Sequence, residues 1–132
     1  MIDRYLQELV KELDLTPPSP PDEQKRYHVN LGKLSITLKY LDPGFYYFSQ
    51  IAPLPSYKRE ELFILLMKAN FLGQGTGGGT LGLMEDETFL TLSLGLPYEI
   101  NYKAFRETLE EFVNFVEYWQ NEIGKHKAEA LK

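Results

Sequence analysis

Four prolines crowd residues 17–21, in the run Thr16-Pro17-Pro18-Ser19-Pro20-Pro21. Neither a helix nor an inner strand can cross them, because proline lacks a backbone donor and restricts the residue before it. The chain is therefore divided into a short leading segment and a longer body, joined by a connector over residues 16–26. Polyproline II is the expected conformation, which holds the two ends of the connector apart. Two PxxP spacings in it match ligands of SH3-like domains, but such spacings arise in any proline run and the connector reading is preferred.

Ahead of the prolines, residues 2–15 read as an amphipathic helix. Ile2, Tyr5, Leu6, Leu9, Val10 and Leu13 recur at helical spacing, while Asp3, Arg4, Gln7, Glu8, Lys11 and Glu12 fill the other face. Behind the prolines the period changes to two. Tyr27, Val29 and Leu31 alternate with His28 and Asn30, and Leu34, Ile36, Leu38 and Tyr40 alternate with Ser35, Thr37 and Lys39. Gly32-Lys33 is placed as a tight hairpin turn between these strands, and Asp42-Pro43-Gly44 as a second turn. A third strand, Phe45 to Ile51, has apolar and aromatic residues at both parities and is expected to be covered on both faces.

Residues 57–72 are predicted to form a second helix. After Lys58-Arg59-Glu60-Glu61, the block from Leu62 to Met67 is apolar all round. A surface helix keeps a polar face, so this one is either deeply buried or shared with another subunit, and in a small domain the second reading gains weight. Glycines follow from Gly73 to Gly79, then two strands, Thr80 to Met84 and Thr88 to Leu94, around the acidic turn Glu85-Asp86-Glu87. In the last helix Phe105, Leu109, Phe112, Val116, Trp119 and Ile123 form one stripe, with Asn101 as its N-cap. Residues 125–132 are expected to fray. The outcome is a single domain over 1–132 of class α+β, a five-stranded antiparallel sheet with three helices in the order α-β-β-β-α-β-β-α.

Composition narrows the chemistry. The 132 residues contain no cysteine, which removes disulfides, thiolate metal sites and cysteine nucleophiles. Nineteen acids against fourteen bases give a net charge of −5, with no basic stretch able to neutralise a run of phosphates. The longest apolar run, Leu62 to Met67, is far below the roughly 20 residues a spanning helix needs. Met1-Ile2-Asp3-Arg4 carries an acid where a signal peptide has its basic region, so a soluble cytosolic protein is expected.

No catalytic constellation emerges. Gly73, Gly75 and Gly78 satisfy G-x-G-x-x-G, yet a helix precedes them and a strand follows, the reverse of a dinucleotide site, and no lysine completes a phosphate-binding loop. A helix C-cap with a closely packed or flexible connection accounts for the stretch better. His28 and His126 have no metal-ligand spacing, and no serine lies in a nucleophile elbow. Glu60-Glu61 and Glu110-Glu111 read as solvated helix positions. No metal or cofactor is expected. The aromatic run Phe45-Tyr46-Tyr47-Phe48 is more telling: Tyr46 and Phe48 are either core residues or a surface for a protein partner.

The layout resembles the class I type III secretion chaperones, the Tir-chaperone-like family. The resemblance covers essentially the full chain and is carried by size, acidity, element order and one region. That region is Leu66-Met67-Lys68-Ala69-Asn70-Phe71-Leu72, the glycine stretch, Thr80-Leu81-Gly82-Leu83, Leu90-Thr91-Leu92, and the closing helix with Phe112-Val113 and Trp119. It departs from the family in its proline connector and dense glycine loop. What it implies is a dimeric, ATP-independent, non-enzymatic chaperone of the bacterial cytosol. Such a protein holds the N-terminal region of a secreted effector or translocon protein in extended form. Carried over from the family, the dimer interface comprises Phe63, Leu66, Met67, Asn70, Leu81 and Leu83. The client surface comprises Tyr5, Leu9, Val29, Leu31, Ile36, Leu38 and Phe48. A second reading keeps the fold but makes the protein a regulatory module that sequesters a regulator, with one half of a heterodimer with a related chaperone as one form of it. A third, a small enzyme using the glycine loop for a phosphorylated ligand, ranks below both.

Overall fold

In the computed structural model, which describes residues 2–130, the two periodicities separate as expected. Helix α1 spans Ile2–Leu13 and strands β1 (Arg26–Leu31), β2 (Leu34–Tyr40) and β3 (Phe45–Pro53) follow the connector. Helix α2 (Arg59–Asn70) runs into a 3₁₀ turn at Phe71–Gly73, and β4 (Thr80–Leu83), β5 (Phe89–Leu96) and α3 (Tyr102–Ala130) complete the chain. All pairings are antiparallel, in the spatial order β1-β2-β3-β5-β4. β5 is thus inserted between β3 and β4, which leaves β1 and β4 as the two edges.

Strand alternation decides the core. Val29, Leu34, Ile36, Leu38, Phe45, Tyr47, Ile51 and Leu92 are buried on one face, against the stripes of α1 and α3. Phe45 stacks on Tyr5 with ring centres 5.5 Å apart and lies 4.9 Å from Phe105. The Tyr47 hydroxyl donates to the Phe105 carbonyl at 3.2 Å, which satisfies a polar group that burial would otherwise penalise. On the other face lie exposed Asn30, Ser35 and Gln50 and half-buried Thr37, Tyr46 and Phe48. The expectation that the third strand is covered on both faces is corrected here: its aromatics divide by parity, Phe45 and Tyr47 inward, Tyr46 and Phe48 outward.

At the turn after β2, the Leu41 amide donates to Gly44 at 2.8 Å. Gly44 has φ +101°, and a Cβ there would sit 1.8 Å from the Leu96 carbonyl oxygen, so only glycine fits. Asn101 is the N-cap of α3, its Oδ1 accepting the Ala104 amide at 2.8 Å. Residues 125–130, expected to fray, are helical, since α3 continues through Ala130 with His126 half-buried. Residues 131 and 132 of that expected tail lie outside the described residues.

Candidate functional site

Helix α2 has two apolar sides. Leu62 and Leu66, one turn apart, are buried in the core. Ile64, Leu65 and Met67 point to solvent, the turn after the helix adds Phe71 and Leu72, and β4 adds Leu83. Met67 is 71% exposed and Leu72 79%. These large side chains together form an exposed apolar surface, the kind of surface on which protein partners dock. Of the residues expected at a dimer interface, Met67 and Leu83 are exposed on this surface and Phe63 is half-buried beside it. Leu66 and Leu81 are instead buried in the chain's own core, and the Asn70 side chain is bonded to the backbone of Leu81. Ile64, Leu65, Phe71 and Leu72 join this surface in addition to the expected residues, and the all-round apolar block is the sequence signal for the first two. Beside this surface a hollow of about 610 Å³ lies between α2 and α3, lined by Leu65, Ala69, Phe115, Tyr118 and Trp119.

The expected client residues do not form one site. Val29, Ile36 and Leu38 are buried because α1 and α3 already cover their face of the sheet, and Tyr5 and Leu9 are buried because they lie on the inner side of α1. The Tyr5 hydroxyl also donates to the Ile100 carbonyl at 2.8 Å. Leu31 is half-buried at the hairpin end of that face, and Phe48 is half-buried on the opposite one. What α1 offers to a partner is its outer flank. There a groove of about 580 Å³ runs between Leu6, Gln7 and Val10 on the helix, Pro17 and Pro18 on the connector, and Tyr27 at the start of β1.

Polar contacts fasten this region. The Tyr27 hydroxyl donates to Asp3, and this bond, with partial burial, pushes the phenol up to about 12. Arg106 Nη1 donates to both Glu12 oxygens at 3.1 Å and the Tyr102 hydroxyl donates to Oε2 at 2.7 Å, so α1 is tied to α3. Those bonds hold the Glu12 carboxyl below its ordinary value, Tyr102 contributing most. Asp22 is held at about 2, chiefly by the Arg26 amide.

Nothing in these groups assembles a reaction centre. The His28 ring lies between Asp22 and Thr37, 3.3 and 3.1 Å away, and is exposed at the sheet edge. Among the described residues, no three His, Asp or Glu side chains gather to hold a metal ion. The glycine loop packs tightly against α3: Trp119 Nε1 donates to the Gly75 carbonyl at 2.9 Å, and Thr76 Oγ1 donates to that of Gly79 at 2.6 Å. Gly77, at φ +63°, lies so close to Phe115 that a Cβ would approach the ring to 2.5 Å. The loop is therefore a packed connection with its dipole context reversed for phosphate.

Residues 4–120 match the Tir chaperone protein (CesT) family. The chain belongs to that family. The resemblance to class I type III secretion chaperones drawn from the sequence is the correct one. A protein of Chlamydia pneumoniae is 32% identical over 73 residues, a match that spans 55% of this chaperone and 55% of the relative, about half the length of each. The fold is similar to a chain in the crystal structure of the ExsC-ExsE complex, with a TM-score of 0.75 and 18% identity over 91% of both chains. It is similar also to a chain of the HopA1-SchA chaperone-effector complex, with a TM-score of 0.67 and 13% identity over 91% of this chain and 93% of the other. A third likeness is to a chain of the heterodimeric ExoU-SpcU complex from the type III secretion system of Pseudomonas aeruginosa. Its TM-score is 0.64, with 15% identity over 92% of this chain and 93% of that one. At these identities the shared property is the fold of the chaperone. Among the described residues, no helix is long and apolar enough to cross a membrane.

Proposed function

We propose that this chaperone binds the N-terminal region of a type III secreted effector or translocon protein in the bacterial cytosol. It keeps that segment extended and competent for secretion, without catalysis and without a cofactor. Two copies associate through the exposed side of α2 with Phe71, Leu72 and β4. The observation that carries the reading is this unpartnered apolar surface on a chain of the Tir chaperone family. A chaperone-effector complex and a heterodimeric complex of a type III secretion system among its structural relatives support the same reading. A client strand adds to the β1 edge and places alternate apolar side chains in the groove between α1 and the connector. Covering those side chains prevents aggregation, while the ordering cost of the client limits affinity per unit area.

The test is capture of the tagged protein from its native host, mass spectrometry of what copurifies in stoichiometric amount, and limited proteolysis of the complex. The expected result is a secreted effector whose N-terminal segment is protected. A folded cytosolic regulator or a sister chaperone in its place would favour the regulatory module of the same fold. Protection confined to another part of the client would refute the N-terminal assignment.

A further inference from the structure

The proline connector ends on a residue with an unusual number of partners. The Asp22 amide donates to the Arg26 carbonyl at 3.0 Å, and Asp22 Oδ1 accepts the Arg26 amide at 3.0 Å and that of Gln24 at 2.9 Å. Its Oδ2 accepts Arg26 Nε at 3.0 Å and lies 3.3 Å from His28 Nε2. Asp22 therefore meets both backbone groups of Arg26, as a residue on a neighbouring strand does.

Strand parity shows why this matters. Gly32-Lys33 closes a two-residue turn, so Leu31 and Leu34 form a hydrogen-bonded pair, as do Val29 with Ile36 and Tyr27 with Leu38. Arg26, His28 and Asn30 alternate with these and aim their N–H and C=O groups away from β2, at the open edge. Of these three outward positions, Asp22 occupies the first. The prolines before it have no amide donor to continue the ladder.

We propose that Asp22 is a stop on the β1 edge: by standing in for a strand at Arg26 it confines an added client strand to the register of His28 and Asn30. The same bonds keep the connector in place as one wall of the groove beside α1. This inference rests on the proposed strand addition and assigns its length and end point. A client that pairs further along β1 displaces Asp22 first, and its affinity is reduced by that competition.

The test uses a labelled short peptide of alternating valine and threonine with a lysine at each end, the full chain, and the variants Asp22→Ala and Asp22→Asn. The expected result is that Asp22→Ala binds the peptide about fivefold to tenfold tighter, the worth of one or two net hydrogen bonds. In amide exchange, bound peptide slows His28 and Asn30 in every protein. Arg26 is slow without peptide in the wild type, fast in free Asp22→Ala, and slow again in that variant's complex. Asp22→Asn keeps an acceptor for the Arg26 amide and is expected to behave like the wild type. If Asp22→Ala loses core protection, Asp22→Leu, of similar shape but without an acceptor, is read in its place with the same expectations. Equal affinities, with Arg26 unprotected in the Asp22→Ala complex, overturn the stop while leaving edge addition standing. Asp22→Asn binding as tightly as Asp22→Ala overturns the strand-mimic account. Failure of the peptide to bind or to slow His28 and Asn30 in any protein removes the edge as a client site, and the stop with it.

Discussion

The side-chain amide of Asn70 pairs with both backbone groups of Leu81: Nδ2 donates to the carbonyl at 2.9 Å and Oδ1 accepts the amide at 2.7 Å. β4 is an edge strand, and Leu81 lies across from Leu92 on β5. Asn70 thus occupies the β4 edge at Leu81 as Asp22 occupies that of β1 at Arg26, and it ties α2 to the sheet. Exposed strand edges invite pairing with other chains, and each of these contacts blocks that pairing at one position.

Replacing Asn70 by Ala leaves the two Leu81 groups without these partners and is expected to destabilise the fold by about 1–3 kcal/mol. Asn70→Asp keeps the acceptor but sets an anion against the Leu81 carbonyl, and it should be at least as damaging. Urea unfolding at one fixed protein concentration measures both, so that the proposed self-association contributes equally to each value. A loss below about 0.5 kcal/mol for Ala would show that water replaces the amide at little cost.

The two sides of α2 separate association from folding. Met67→Glu alters a largely exposed side chain and is expected to yield a folded monomer by analytical ultracentrifugation. Leu66→Ala empties a core position and should cost about 2–5 kcal/mol in either state. A Met67→Glu protein with the mass of a dimer would remove this side of the helix from the interface.

Leu9 and Val10 are neighbours in sequence with different duties. Leu9 is buried, so Leu9→Asp places a carboxylate in the core and should abolish soluble folded protein rather than client binding alone. Val10 is half-buried and lines the groove beside the connector. Val10→Lys is expected to keep the fold and weaken client retention about tenfold, read by pull-down with the captured client. Unchanged retention would move the client away from this flank of α1.

Alkaline titration tests the core hydroxyl. Burial pushes Tyr47 above the ordinary value of 10.0, so the folded chain keeps that proton where the unfolded chain releases it. The contribution is complete below about pH 10 and is lost as pH rises from there toward the folded-state value. Tyr27 and Tyr102, both near 12, act in the same direction. The melting temperature should therefore fall steeply above about pH 10, and Tyr47→Phe should make that fall shallower. An equal slope for the variant would assign the loss to the other tyrosines.

Much of the architecture is local and was legible. The 3.6-residue stripe from Phe105 to Ile123, the alternation from Tyr27 to Tyr40, the Gly32-Lys33 turn and the Asn101 cap each follow from residues a few positions apart. The exposed apolar side of α2 was legible in outline, because a helix that is apolar all round has one side more than a single core can use. That Leu9, Val29, Ile36 and Leu38, assigned to a client, are buried in the chain's own core was not legible, for a physical reason. An apolar strand face has the same alternation whether the chain's own helix or a partner covers it.

By itself, then, the sequence determined the kinds and order of the elements, the absence of thiol chemistry, and the surplus apolar surface on α2. Tertiary structure decided the rest: the insertion of β5 between β3 and β4, the side of α2 left open, and the occupation of each sheet edge at one residue, Arg26 by Asp22 and Leu81 by Asn70. Those depend on which segments meet in space. A backbone donor at Leu81 or Arg26 selects its partner by direction and distance, and neither is written into the residues on its two sides.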